Sequence, residues 1–175
     1  MRNLELQELE AGLDEIRLSP REGTVELIVR RPSEGERDVL DEAQLDPVQG
    51  VVGDRWYAGG RGERERQLTL MNARAAALIA RKREHWPLAG DQLYVDFDLS
   101  EHHLPPGTRL EIGSAVVEVT AEDHLGCGKF TRRFGVDAMK FVNSAVGREL
   151  NLRGINARIV TAGTVRTGDA IRRAA

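Results

Sequence analysis

The chain has 175 residues, 41% of them hydrophobic and 30% charged, with a net charge of −3. That length suits one domain with an appendage, and no apolar run approaches the roughly 20 residues of a spanning helix, so a membrane span, a fibrous chain and a disordered tail are excluded. The single cysteine, Cys127, excludes an internal disulfide framework and a Cys-rich zinc site. Charge is uneven: residues 1–50 hold six basic and 13 acidic side chains, whereas residues 126–175 hold ten and three. The basic third opens beside Cys127.

Met1-Arg2-Asn3-Leu4-Glu5 lacks the apolar stretch of a secretory signal, which predicts a cytoplasmic protein. Leu6, Leu9, Leu13 and Ile16 then fall at spacings of three and four, the apolar stripe of a short amphipathic helix ended by Ser19-Pro20 and Gly23. Residues 1–22 are therefore read as a helical appendage that packs on its own domain or on a second copy in a homodimer, the alternative being a helix dedicated to binding a partner. Residues 23–175 form the main domain.

From Gly23 the pattern changes to short strand-type runs at Thr24–Arg30, Arg66–Met71, Leu93–Phe97, Arg109–Ile112 and Ala115–Thr120, each bounded by Gly, Pro or Asp. Ile112-Gly113-Ser114-Ala115 reads as a tight hairpin. Helices are predicted over Ala73–His85, capped by Asn72, and over Asp137–Leu150, where Ala138, Phe141, Val142, Ala145, Val146 and Leu150 share a face. The alternation around Ile155, Ala157 and Ile159, followed by Thr164–Ile171 broken at Gly168-Asp169, predicts a terminal hairpin. Many short strands with inserted helices give a mainly β, α+β chain and a closed or nearly closed β-barrel. Repeated βαβ alternation is missing, which disfavours a doubly wound sheet.

His124-Leu125-Gly126-Cys127-Gly128-Lys129-Phe130 follows a strand directly, and flanking glycines leave the sulfur accessible. Lys129, Arg132 and Arg133 favour the thiolate, the form that attacks electrophiles and binds metals. The competing reading is an inert buried cysteine. His124 is a candidate base or a purely structural histidine. Gly53-Asp54-Arg55-Trp56-Tyr57 with Gly59-Gly60-Arg61-Gly62 makes a glycine-rich loop suited to an anion, with Arg55 as a donor, or a simple surface turn. Asn143 and Arg148 on the following helix are placed beside the same site by proximity in sequence. His102-His103 is read as a polar turn rather than a zinc site, and Arg81-Lys82-Arg83 as a solvated helix face.

Gly53-Asp54-Arg55, Gln67-Leu68-Thr69-Leu70-Met71-Asn72, Gly90-Asp91-Gln92-Leu93, Leu104-Pro105-Pro106-Gly107-Thr108-Arg109-Leu110 and Cys127 with Lys129-Phe130 together resemble the MOSC domain, named for the C-terminal part of molybdenum-cofactor sulfurases. The resemblance runs from about Gly23 to Ile171. It implies a barrel similar to the small barrel domain of pyruvate kinase, and a cysteine, here Cys127, that ligates molybdenum of a bound pterin cofactor or carries sulfur as a persulfide from a PLP-dependent desulfurase. Stand-alone relatives include oxidoreductases that reduce N-hydroxylated small molecules with electrons from a separate reductase. The basic segment suits the anionic cofactor, with Lys129, Arg132, Arg133, Arg55, Asn143 and Arg148 as its expected contacts. Trp56 stands where many relatives have histidine, and Gln92 where Asn is common. The chain is too short to include a desulfurase domain, so PLP is not expected on it. The alternative function is a barrel without turnover that binds an anionic partner; with 5% aromatic residues there is little surface on which to stack nucleic-acid bases.

Overall fold

A computed structural model describes residues 2–58 and 62–175. The elements in chain order are α1 (Leu6–Glu10), α2 (Leu13–Arg17), β1 (Glu22–Arg30), β2 (Asp38–Leu40), β3 (Glu42–Asp46), β4 (Gly50–Val51), α3 (Arg55–Ala58), β5 (Leu68–Asn72) and α4 (Ala73–Ala80). They continue through β6 (Leu93–Asp96), β7 (Arg109–Ile112), β8 (Ala115–Val119), α5 (Gly128–Phe134), α6 (Val136–Asn143), α7 (Ala145–Glu149), β9 (Ile155–Thr161), β10 (Gly163–Arg166) and β11 (Ala170–Arg173). Short 3-10 turns cover Arg64–Arg66 and Arg83–Ala89.

Seven strands close into a barrel in the order β11-β7-β8-β9-β5-β6-β1, with β1 pairing back onto β11 through Glu22↔Arg172 and Thr24↔Ala170. Closure satisfies backbone groups that an open sheet would leave at its edges. All pairs in the ring are antiparallel except β5 with β6, which the chain joins by a crossover through α4. A three-stranded sheet, β10-β3-β4, places Ala43, Leu45, Val51 and Val165 against the barrel interior.

The strands alternate as a half-turn per residue requires. Leu68 and Leu70, Leu93 and Val95, Val117 and Val119, and Ile155, Ala157 and Ile159 fill the interior. In β1 a register shift between Val25 and Leu27 breaks the alternation, so Val25 and Ile28 point inward while Leu27 and Val29 point out. Outside the barrel a second apolar cluster joins Leu27, Val29, Met71 and Tyr94 to Ile79, Phe130, Phe134, Phe141 and Val142. This outer layer holds α5 against the barrel and so places Cys127.

Several sequence expectations are corrected. The N-terminal stripe is split into two five-residue helices, and Leu9 and Ile16 are buried in the outer cluster of the same chain. The backbone N–H of Leu6 donates to Asp137 Oδ2 at 3.1 Å, so the stripe is spent within the chain. The helix predicted to reach His85 stops at Ala80, where Arg81 takes φ +64°, and resumes as a 3-10 turn through Pro87. The single helix Asp137–Leu150 is two, broken at Ser144, whose side chain caps α7 through the N–H of Gly147. The segment after Cys127, for which no helix is predicted, is α5. No terminal hairpin forms: β9 pairs with β5 and β8, β10 with β3, and β11 with β7 and β1. The hairpin at Gly113-Ser114 is as expected, with Ile112 opposite Ala115 and Gly113 at φ +57°.

Candidate functional site

Cys127 lies at the junction of the strand-end loop and α5, with extended backbone, and is exposed. Its loop is fixed from behind by Asn143, whose side chain accepts from the Gly126 N–H at 2.8 Å and donates to the Gly126 carbonyl at 3.0 Å. The backbone N–H of Phe130 favours the charged sulfur most, with the Lys129 N–H and the Arg153 charge adding to it against partial burial. The thiol is therefore held below its ordinary range, which makes its thiolate easier to reach than that of a free cysteine.

The thiol opens on a groove of about 430 Å³ lined by Arg31, Arg37, Arg55, Lys129, Arg132, Arg133 and Arg153, together with His124, Thr69 and Phe130. These cations come from both halves of the chain, brought together by barrel closure. Three are matched by acids: Arg31 by buried Asp54 at 2.8 Å, Arg153 by buried Asp91 at 2.6 Å, and Lys129 by exposed Glu34 at 2.9 Å. Arg37, Arg55, Arg132 and Arg133 form no ion pair among the described residues. Arg37 is held below the usual guanidinium range, first by burial and then by the like charges of Arg133, Arg55 and Arg31. Cations crowded in this way provide an unbalanced positive potential around the sulfur.

Behind the groove stands a buried ionic group. Asp91 is fully buried and receives Arg153 Nη1 at 2.6 Å and His124 Nε2 at 2.8 Å. Burial works against its ionisation, but Arg153 and His124 outweigh it and hold the carboxyl well below the usual range. Arg153 also donates to the Ala89 carbonyl at 2.8 Å and lies over the Phe130 ring. Gly154, at φ +124°, makes this possible: a Cβ there would lie 2.5 Å from the Leu70 carbonyl oxygen and 2.9 Å from His124 Cδ2. No other residue fits at that position without displacing the histidine.

His124 and Arg153 also line a second cavity, of about 200 Å³, whose lining does not include Cys127, with Glu101, Asp123, Arg148 and Asn151. A third hollow shares Arg31, Arg55, Thr69 and His124 with the thiol groove and adds Trp56, Arg66 and Asn156.

The structure thus gathers Cys127, His124, Lys129, Arg132, Arg133 and Arg55 around one groove. Two expected contacts fall elsewhere. Asn143 is spent on the Gly126 backbone, and Arg148 lines the second cavity with its Nε on the Asn143 carbonyl at 3.2 Å; the helical break at Ser144 turns Arg148 away. Gly59, Gly60 and Arg61 of the glycine-rich loop lie outside the described residues. Arg31, Arg37, Asp91 and Arg153 were not expected as site residues; Gly90-Asp91 was legible only as part of a motif. Gln92 does not line the groove but holds Thr69, accepting from its N–H at 2.8 Å and its hydroxyl at 2.9 Å. His103 is buried with Nδ1 2.6 Å from the Asp98 carbonyl, and His102 is exposed. No described helix is long and apolar enough to cross a membrane.

The profile of the family described as MOSC domain matches residues 54–172. Among solved structures, the YUAD protein from Bacillus subtilis is 19% identical with a TM-score of 0.59, covering 86% of this chain and 94% of that one. YiiM from Escherichia coli is 18% identical with a TM-score of 0.57, covering 87% and 70%. YiiM from Geobacillus stearothermophilus is 10% identical with a TM-score of 0.55, covering 87% and 73%. These likenesses confirm the barrel. No curated protein matches the chain.

Proposed function

Since this chain belongs to the MOSC domain family, which is associated with the molybdenum cofactor, we propose that it holds that cofactor in the arginine-lined groove with Cys127 as the sulfur ligand to the metal. The observation that carries this reading is the set of four guanidinium groups, on Arg37, Arg55, Arg132 and Arg133, that have no carboxylate partner among the described residues and surround an exposed thiol of depressed pKa. The donor chemistry fits: a soft thiolate suits a transition metal, and guanidinium forks suit a phosphate.

When bound, the cofactor supplies redox chemistry at the metal. The chain's own residues do the rest. Arg37, Arg55, Arg132 and Arg133 hold the anionic part, and Asn143 keeps Gly126 and hence the sulfur in place. The pair Arg31–Asp54 fixes one wall, since Asp54 Oδ1 also accepts from the Arg31 backbone N–H at 2.8 Å. The substrate class in this reading is N-hydroxylated small molecules, with electrons delivered by a separate reductase. A second reading is favoured by the exposure of Cys127: a thiol open to a partner protein can accept sulfur from a PLP-dependent desulfurase and carry it as a persulfide.

Elemental analysis and intact mass of protein purified from cells that make the cofactor separate these readings. Near-stoichiometric molybdenum that disappears in Cys127→Ser supports the cofactor-bearing oxidoreductase. A mass increment of about 32 Da on Cys127 without molybdenum supports the sulfur carrier. Neither finding leaves a groove that binds an anionic partner without turnover.

A further inference from the structure

Most side chains of the groove are donors; its one carboxylate, Glu34, is taken by Lys129 Nζ at 2.9 Å, and its thiol is the proposed metal ligand. Arginine and lysine side chains donate and cannot accept, and Arg31, Arg37, Arg55, Lys129, Arg132 and Arg133 supply only such groups. Thr69 is committed to Gln92 through both its hydroxyl proton and an oxygen lone pair. His124 is different. Its Nε2 lies 2.8 Å from Asp91 Oδ1, and Asp91 is kept as a carboxylate by Arg153, so Nε2 bears the proton and Nδ1 keeps a lone pair.

The ring is also oriented. Its Cδ2 edge faces the backbone at Gly154, while Nδ1 has no hydrogen-bond partner among the described residues and is not among the sealed polar atoms. His124 borders the thiol groove, the adjoining hollow and the second cavity. The charged groups acting on it are Asp91 on one side and Arg153 and Arg31 on the other. Burial first, and then Arg153, keep the imidazole below its ordinary range despite Asp91, so it is neutral and an acceptor near neutral pH.

We infer that His124 is the neutral, unengaged hydrogen-bond acceptor of the groove, so that among the anions drawn in by the arginines it selects a phosphoryl group that keeps a proton over an oxyanion that has none. A proton-bearing phosphoryl oxygen donates to Nδ1, whereas a bare oxygen meets the nitrogen lone pair head on. This deepens the proposed function and rests on its anion-binding groove, but not on molybdenum.

Calorimetric titration of the cofactor-free chain with inorganic phosphate and with sulfate tests it. At about pH 8 both ions are largely dianions, but only phosphate retains a proton. Wild type binds phosphate about tenfold more tightly than sulfate, the worth of one hydrogen bond to a charged group. His124→Leu abolishes the preference. His124→Gln keeps it, because the amide presents a donor to Asp91 and an acceptor beside it. Equal binding of the two ions by wild type, or a preference that survives in His124→Leu, overturns the acceptor role alone; binding of neither ion overturns the anion groove as well. Nitrogen-15 correlation spectra of the imidazole give a check free of substitution, since a proton found on Nδ1 in wild type overturns the proposal. Methyl phosphate compared with inorganic phosphate at about pH 7, where His124 is neutral and part of the ester pool still keeps a proton, tells an ester from the free ion: tighter binding of the ester assigns a phosphomonoester, and tighter binding of inorganic phosphate assigns the free ion.

Discussion

Leu70 inside the barrel and Asp91 behind the groove are both fully buried, yet they are kept there by opposite physics. The Leu70 side chain belongs to the apolar cluster of the interior, and its stability comes from area removed from water and from close packing. Asp91 is tolerated because Arg153 and His124 satisfy both of its oxygens. In the barrel interior a lost side chain leaves a void, whereas behind the groove it leaves a charge. The difference predicts where single changes are tolerated and where a second change can repair the first.

The sharpest way to break the comparison is Arg153→Leu, which strands a buried carboxylate and is expected to cost about 3–5 kcal/mol in denaturant unfolding. The double variant Arg153→Leu/Asp91→Leu recovers most of that loss. Leu70→Ala costs about 2–5 kcal/mol, and no second truncation in the interior restores it; a strong rescue there would erase the distinction. Smaller again is Asn143→Ala. Loss of its two bonds to Gly126 costs about 1–2 kcal/mol and moves the midpoint of Cys127 alkylation upward, toward the ordinary thiol value.

The smallest effect is in the pH dependence of stability. The folded pKa of His124 lies below the unfolded value, so the unfolded chain binds the proton first as pH falls. Its contribution is fully present above about pH 6.5 and is lost as pH drops from there through the folded pKa. Unfolding free energies measured across this window slope upward with pH in wild type. The slope is shallower in His124→Gln.

Local patterns were legible where a pattern is local. The β7–β8 hairpin follows from alternation around Gly113-Ser114, and Cys127, Lys129, Arg132 and Arg133 cluster because they are neighbours in the chain. β3 was hidden because only Ala43 and Leu45 of its five residues face the interior, between acidic and amide side chains. α5 was hidden by its shortness and its basic residues, with Gly128 at its start and Gly135 just past its end. Arg31, Arg37 and Arg153 reach the groove only once the barrel has closed, so no spacing announces them. The motif residues Gln67, Asn72 and Gln92 proved to be pins of the scaffold: Gln67 Oε1 accepts from the Ile159 N–H at 2.7 Å, and Asn72 caps α4.

The pairing of β1 with β11 has a consequence for synthesis. The first strand leaves the ribosome long before its partner, residues 170–173, exists, and the ring cannot shut until both are available. During that interval β1 has one side unmatched, and strands of such wide sequence separation assemble slowly. The register shift in β1 and the early pairing of its other end with β2 through Ile28↔Leu40 give the waiting strand a local partner. Together they limit its use as a template by neighbouring nascent chains.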